Sequence, residues 1–252
     1  LLFEAMRAGL IFRTIFLNSR AAAPEWVPRS VELIQLPDDI FASAVDTQSP
    51  QGIAALLVAP ASTFQTLFET LTRSLSAAPL LLIASALQDP GNLGTIIRSA
   101  EAFAATALLT TPTTVSPWSP KALRASAGSV FRLPIVPISL ADLAQLRSSG
   151  IHLFAAVPGA AAHNADSRQP KTLPLTSADL TGPCALLIGN EGAGLSEEVL
   201  ALADSRITIP TPGQVESLNA AIAASVLLYE VSRQRGLTPA KGPLGGVSPE
   251  TV

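Results

Sequence analysis

Hydrophobic positions along the chain change their rhythm near Pro79. Before it they fall into mixed segments: Leu1–Ala8 has helical spacing, Ile11–Leu17 is a strand-length run, and a proline-containing loop follows. The segment "VELIQL" then leads through "TQSPQG" to a second strand, "IAALLV". Next, "STFQTLFETLTRSLS" puts Phe64, Leu67, Leu71 and Leu75 on one stripe at helical spacing, which predicts an amphipathic helix. Beyond Pro79 come short continuous apolar runs: "LLLIA" (80–84), "ALLT" (107–110), "LFAAV" (153–157), "CALLIG" (184–189) and "RITI" (206–209), separated by helical or loop segments. A strand that is apolar on both faces must be covered on both. The alternation therefore predicts an α/β fold with a parallel sheet between helical layers. The expected organisation is a small unit over 1–60, a linker helix over 61–79, an α/β domain over 80–236 and a flexible Gly/Pro-rich tail over 237–252.

Composition narrows the class. With 252 residues, 48% of them hydrophobic, the chain can bury a sizeable core. No apolar stretch reaches the ~20 residues of a membrane span, and no signal peptide is visible. The sequence opens at Leu1 rather than methionine, so the small unit is expected to lack part of its front. The one cysteine, Cys184, sits in "CALLIG" and reads as a reduced core thiol, which fits the cytoplasm. Net charge is −3, which argues against binding nucleic acid by bulk charge but leaves room for a local basic site. Of the basic residues only Lys121, Lys171 and Lys241 are lysine. Arginine suits planar recognition of phosphate, although genomic base composition produces the same bias.

Candidate chemistry gathers in three polar loops that follow predicted strands, where open α/β sheets bind ligands. In "LQDPGNLGTIIRSAEAF" (87–103), Asp89, Pro90 and Gly91 form a turn, Asn92 is suited to cap a helix, and Arg98 lies about one and a half turns inside it. In "IGNEGAGLSEEVL" (188–200), Gly189, Gly192 and Gly194 surround Glu191, and Ser196 caps a helix. The spacing matches neither the dinucleotide fingerprint nor a P-loop. In "IPTPGQVESLNAAIAASVLLYE" (209–230), Ser217 and Asn219 flank Leu218 at a helix start, one polar residue more than capping needs. His152 and His163 lie outside these loops, and no residues have metal-ligand spacing. A set with hydroxyl, amide, carboxylate and guanidinium groups needs its reactivity supplied by a substrate or cofactor, a condition that methyl transfer from a sulfonium donor meets.

Those three segments, in this order, resemble the signature motifs of the SpoU-type RNA 2′-O-ribose methyltransferases of the SPOUT superfamily. "SPKALRASAGSVFRLPIV" (119–136) resembles the family's intervening segment, and "LPDDIFASAVDTQSPQGIAALL" (36–57) the end of its small L30e-like RNA-binding domain. The resemblance implies a parallel sheet with a C-terminal trefoil knot, S-adenosylmethionine as cofactor, a homodimer and structured RNA as substrate, ribosomal rather than transfer RNA because of the extra small domain. Matched position by position, it implies a catalytic set of Asn92, Arg98, Glu191, Ser217 and Asn219. The implied cofactor cradle comprises Thr110, Gly189, Asn190, Gly192, Ile209, Pro210, Ser217, Leu218 and Asn219. Arg98, Lys121, Arg124 and Arg132 are RNA-contact candidates, each equally readable as a surface charge. Arg98 is expected to clamp a phosphate and stabilise alkoxide charge rather than abstract a proton. Glu191 either orients Asn92 or Arg98 or accepts a proton. A paralogue that keeps the fold but has lost methylation remains the alternative from another class.

Overall fold

The structure, a computed structural model, describes residues 1–45, 50–73, 78–159, 172–215 and 217–236. The expected tail, His163, Leu75 and Glu216 lie outside the described residues. The chain begins with helix α1 (Leu2–Arg7), strand β1 (Phe12–Asn18), β2 (Glu32–Leu36), helix α2 (Asp38–Ala44) and β3 (Ile53–Leu57). These strands form a small sheet in the order β2-β1-β3, with β1 parallel to β2 and antiparallel to β3. Its core is thin: Ala5, Phe12, Ile15 and Leu17 are buried, with Trp26 packed beside Phe12 and Phe3.

Helix α3 (Phe64–Arg73) follows, and its predicted stripe finds its partner in the larger sheet: Phe64, Leu67, Phe68 and Leu71 pack against that sheet's core. The larger unit then runs through β4 (Leu80–Ala84), α4 (Pro90–Ala102), β5 (Ala107–Thr110), α5 (Pro120–Ala125), β6 (Ile135–Pro137) and α6 (Leu140–Ser148). It continues with β7 (His152–Ala156), β8 (Thr172–Pro174), β9 (Cys184–Ile188), α7 (Glu197–Leu202), β10 (Ser205–Thr208) and α8 (Ala220–Gln234). Strands β6 and β8 are absent from the sequence expectation, because three residues ending in a proline are too few to show a period.

All pairings in the seven-stranded sheet are parallel, in the order β6-β5-β4-β9-β7-β10-β8. The apolar runs divide by alternation. Leu80, Leu82, Leu186 and Ile207 face α4 and α8, while Leu81, Ile83, Leu153 and Leu187 face α3, α6 and α7. Successive side chains of a strand point to opposite faces, so continuous apolarity is the price of a sheet covered twice. Cys184 belongs to the first core; burial pushes its thiol up in pKa, against the lowering influence of the nearby Arg235. The chain moves outward from β4 to β6, crosses to β7 and β8, and then returns. It inserts β9 between β4 and β7, and β10 between β7 and β8. This return brings the carboxyl ends of β7, β9 and β10 side by side, the kind of place where α/β sheets bind ligands.

Candidate functional site

A cavity of about 410 Å³ opens at the ends of β7, β9 and β10, a volume suited to a small-molecule ligand. Four stretches line most of it: Ala156–Gly159 from the end of β7, Ile188–Gly192 from the end of β9, Ile207–Ile209 at the end of β10, and Ser217–Ala220 entering α8. Thr208 Oγ1 is buried in the wall without a hydrogen-bond partner among the described residues. A buried hydroxyl left unpaired favours a ligand that satisfies it.

The first polar loop enters α4 differently from the sequence expectation. Asp89, not Asn92, is the cap: its carboxylate accepts the Asn92 amide at 2.8 Å, and Pro90 occupies the first turn, where no amide proton is needed. Asn92 therefore sits inside the first turn with its side chain released from capping. That side chain joins the three loops. Asn219 Oδ1 accepts the amides of Ala221 and Ile222 at 2.9 and 3.2 Å, capping α8, so its Nδ2 faces outward and donates to Asn92 Oδ1 at 3.0 Å. This in turn directs Asn92 Nδ2 to Glu191 Oε1, also at 3.0 Å. The same carboxylate accepts the backbone amides of Asp89 at 3.1 Å and Gln88 at 3.2 Å. Desolvation opposes ionisation of Glu191, but the donors from Asn92, Asp89 and Gln88 outweigh it and hold the carboxyl below its ordinary pKa. Glu191 is thus anionic at neutral pH.

The second loop folds on itself. Asn190 pairs with Gly194 through both backbone groups at 2.9 Å, its Oδ1 accepts the amides of Gly192 and Ala193, and its Nδ2 donates to Ala86 O. The Asn190 side chain is therefore spent within the protein and offers the cavity only its surface. Gly189 has a structural duty besides its place in the cavity lining. A Cβ there would lie 2.3 Å from the Gly194 carbonyl carbon and 2.5 Å from Leu195 N, so the close approach of its own loop requires a glycine. Ala86, at φ 55°, accepts left-handed strain at the end of β4, and its amide is held by Thr111 and Thr114 hydroxyls.

Of the sequence candidates, Gly189, Asn190, Glu191, Gly192, Ile209, Ser217, Leu218 and Asn219 line the cavity, and Asn92 stands one hydrogen bond behind it. Thr110 and Pro210 do not line it: Thr110 ends β5, which β4 separates from β9. Arg98 is exposed on α4, outside the lining, and has no hydrogen bond or ion pair among the described residues. Lys121 is paired with Asp89 at 2.7 Å, Arg124 is engaged too, and Arg132 is held between Glu4 and Glu101. The sequence reading missed Ala156–Gly159, which carry no polar side chain; the strand-end position of "VPG" was the available signal.

Comparison with known proteins follows the same lines. Residues 79–229 match the model of the SpoU rRNA Methylase family. The chain is 31% identical over 229 residues to the 23S rRNA (guanosine(2553)-2′-O)-methyltransferase RlmP of Bacillus subtilis, covering 90% of this chain and 84% of that protein. It is likewise 31% identical to the 23S rRNA (uridine(2479)-2′-O)-methyltransferase of Streptomyces viridochromogenes, covering 92% of this chain and 79% of that protein. Among solved structures, the AdoMet-bound rRNA methyltransferase from Sinorhizobium meliloti superposes with a TM-score of 0.76 at 26% identity, over 92% of this chain and 84% of the other. With three motif loops brought together at one cavity and a family match across more than half its length, the chain belongs to the SpoU rRNA methylase family.

Proposed function

We propose that this chain transfers a methyl group from S-adenosylmethionine to a ribose 2′-hydroxyl of ribosomal RNA. The observation that carries the reading is the hydrogen-bonded line Asn219–Asn92–Glu191, which ties all three motif loops together beside one ligand-sized cavity. The relatives above are named as 2′-O-methyltransferases of 23S rRNA, and the Sinorhizobium structure holds AdoMet. When bound, the cofactor supplies an electrophilic methyl group on a sulfonium, which requires positioning rather than activation.

The cavity residues fit such a ligand. Ile188, Ile209, Leu218 and Leu227 offer apolar walls, and the Thr208 hydroxyl has no partner among the described residues. Gly189, Asn190 and Ser217 complete the part of the proposed cradle that lines the cavity, with Thr110 and Pro210 outside that lining. Glu191, already ionised at neutral pH, is a poor proton acceptor there, so its role is to orient Asn92. Asn92 and Asn219 present a fixed amide pair at the site's edge, and Arg98 supplies the cation that stabilises alkoxide charge or grips the neighbouring phosphate. The small sheet serves as the L30e-like RNA-binding unit. The insertion of β9 and β10 between earlier strands supports a trefoil knot closed by α8. The exposed apolar face of α8, with Ile222 and Tyr229 each more than half accessible, supports a homodimer. A buried, unpaired cysteine suits the cytoplasm as the site of action.

Calorimetric titration with S-adenosylhomocysteine, followed by tritiated-methyl transfer into unmodified ribosomal RNA, tests the reading. Saturable binding and label resistant to alkaline cleavage at one ribose are expected; binding with no transfer into any ribosomal RNA would overturn it.

A further inference from the structure

Arg132 reads in sequence as an RNA contact, but its surroundings assign it other work. It follows a short 3-10 turn, Ser129–Phe131, and its Nη1 donates to Glu4 Oε2 at 2.6 Å. On its other side, Nε and Nη2 grip both oxygens of Glu101, the second at 2.9 Å. Glu4 belongs to α1 in the small unit and Glu101 to α4 in the large one. Two further contacts seal the same junction. Phe131 packs against the small sheet's core, and a Cβ on Gly128, at φ 92°, would stand 2.8 Å from Glu4 Cβ. The three charged side chains are 29–37% exposed, so the network is partly shielded. Arg132 holds the Glu101 carboxyl below its usual pKa, against desolvation, with Ser129 assisting.

A guanidinium can bind one carboxylate with two parallel donors and still reach a second; an ammonium is a point charge without that fork. A phosphate reaching Arg132 would have to displace two carboxylates. Glu101, moreover, lies one turn after Arg98 on the helix whose first turn presents Asn92. We infer that Arg132 is a positioning residue that fixes the small N-terminal unit to α4, so that RNA gripped by the small unit meets Asn92 and Arg98 in register. This rests on the proposed methyltransferase reading for its consequence, though not for its geometry.

The test compares the wild type with Arg132→Met and the near-isosteric Glu4→Gln, each checked by thermal melting. A positioning role requires both variants to raise KM for RNA together, by roughly three- to tenfold, with kcat changed less and S-adenosylhomocysteine affinity kept. Direct phosphate contact requires the opposite for Glu4→Gln. Removing a carboxylate beside the cation would leave RNA binding unchanged or tighter, and only Arg132→Met would weaken it while lowering the salt slope by about 0.7–0.9. That pattern would overturn the proposal. Spin labels placed through Arg29→Cys and Gln145→Cys supply a readout independent of catalysis: both clamp variants should broaden the distance distribution between the two units. Unchanged distributions would overturn the clamp even if no RNA were methylated. A wild type that fails to methylate while the distributions broaden would sink only the functional reading.

Discussion

Single amide groups decide how the site is wired. Because Asn219 Oδ1 must accept two backbone amides at the start of α8, its donor end can only face Asn92, and Asn92's donor end can only face Glu191. Glu191→Gln would set an NH2 group against the donors of Asn92, Asp89 or Gln88. A lost charge-assisted bond of this kind costs about 1.5–3 kcal/mol, and kcat should fall roughly tenfold or more. Glu191 is ionised because its folded pKa is depressed, so its contribution is present at neutral pH and disappears only as pH falls through that depressed value. The wild-type rate profile should therefore show no acid limb near neutrality that vanishes in Glu191→Gln; finding one would return Glu191 to the role of general base. Arg98→Ala should cut turnover roughly 10²-fold, the scale of losing one transition-state donor, without weakening S-adenosylhomocysteine binding, because Arg98 lies outside the cavity lining. Equal loss of both, measured by calorimetry beside kinetics, would place it in the cofactor site. These residue types and their order were readable in the sequence. Their partners were not, since Asn92 lies 99 residues before Glu191 and 127 before Asn219.

Elements hold these groups in place through two local devices. The loop after β9 closes on itself through the Asn190–Gly194 pairing, and Gly189 permits the contact. Gly189→Ala should therefore cost about 1–3 kcal/mol by overpacking and lower Tm together with cofactor affinity. Retained Tm with affinity alone lost would show that the glycine yields space to the ligand instead. At the other end of α8, Glu230 accepts from Arg233 and Gln234, and Gln234 spans Ala178 O and Leu180 N. The Arg233 hydrogen bond, chiefly, with Gln234 assisting, lowers the Glu230 pKa to about 2 from 4.5. A depressed carboxyl stabilises the fold above its unfolded pKa and loses that effect as pH falls toward about 2. In urea melts, Glu230→Gln should be less stable than wild type by about 1–2 kcal/mol at neutral pH, and the gap should close on acidification. A gap independent of pH would point to packing. Helical spacing predicted α3, and a turn followed by a cap predicted α4; capping by Asp89 escaped because Asp and Asn are equally good caps, and only Pro90's place in the first turn separates them.

For the whole molecule, the open question of partnership rests on α8, which is buried on one side by α4 and β9 and exposes Ile222 and Tyr229 on the other. Ile222→Asp should place a charge in the proposed dimer interface and weaken self-association roughly 10²-fold, read as monomers by light scattering. A wild type that is already monomeric would remove the dimer from the proposal and leave that face unexplained.

What the sequence determined by itself follows from short-range physics. Apolar runs covered on both faces required a parallel sheet between helices, and helical spacing required α3 to bury the stripe that now rests on the large sheet. The three polar loops announced themselves because glycine, proline and paired polar residues have few reasons to cluster at strand ends. What only the tertiary structure decided depends on non-local placement: that β9 and β10 return between earlier strands, that Ala156–Gly159 wall the cavity while Thr110 does not, and that Arg132 faces two carboxylates from distant helices. Periodicity reports which face of an element is buried, but strand order and the partner of a charge are set when the whole chain closes on itself.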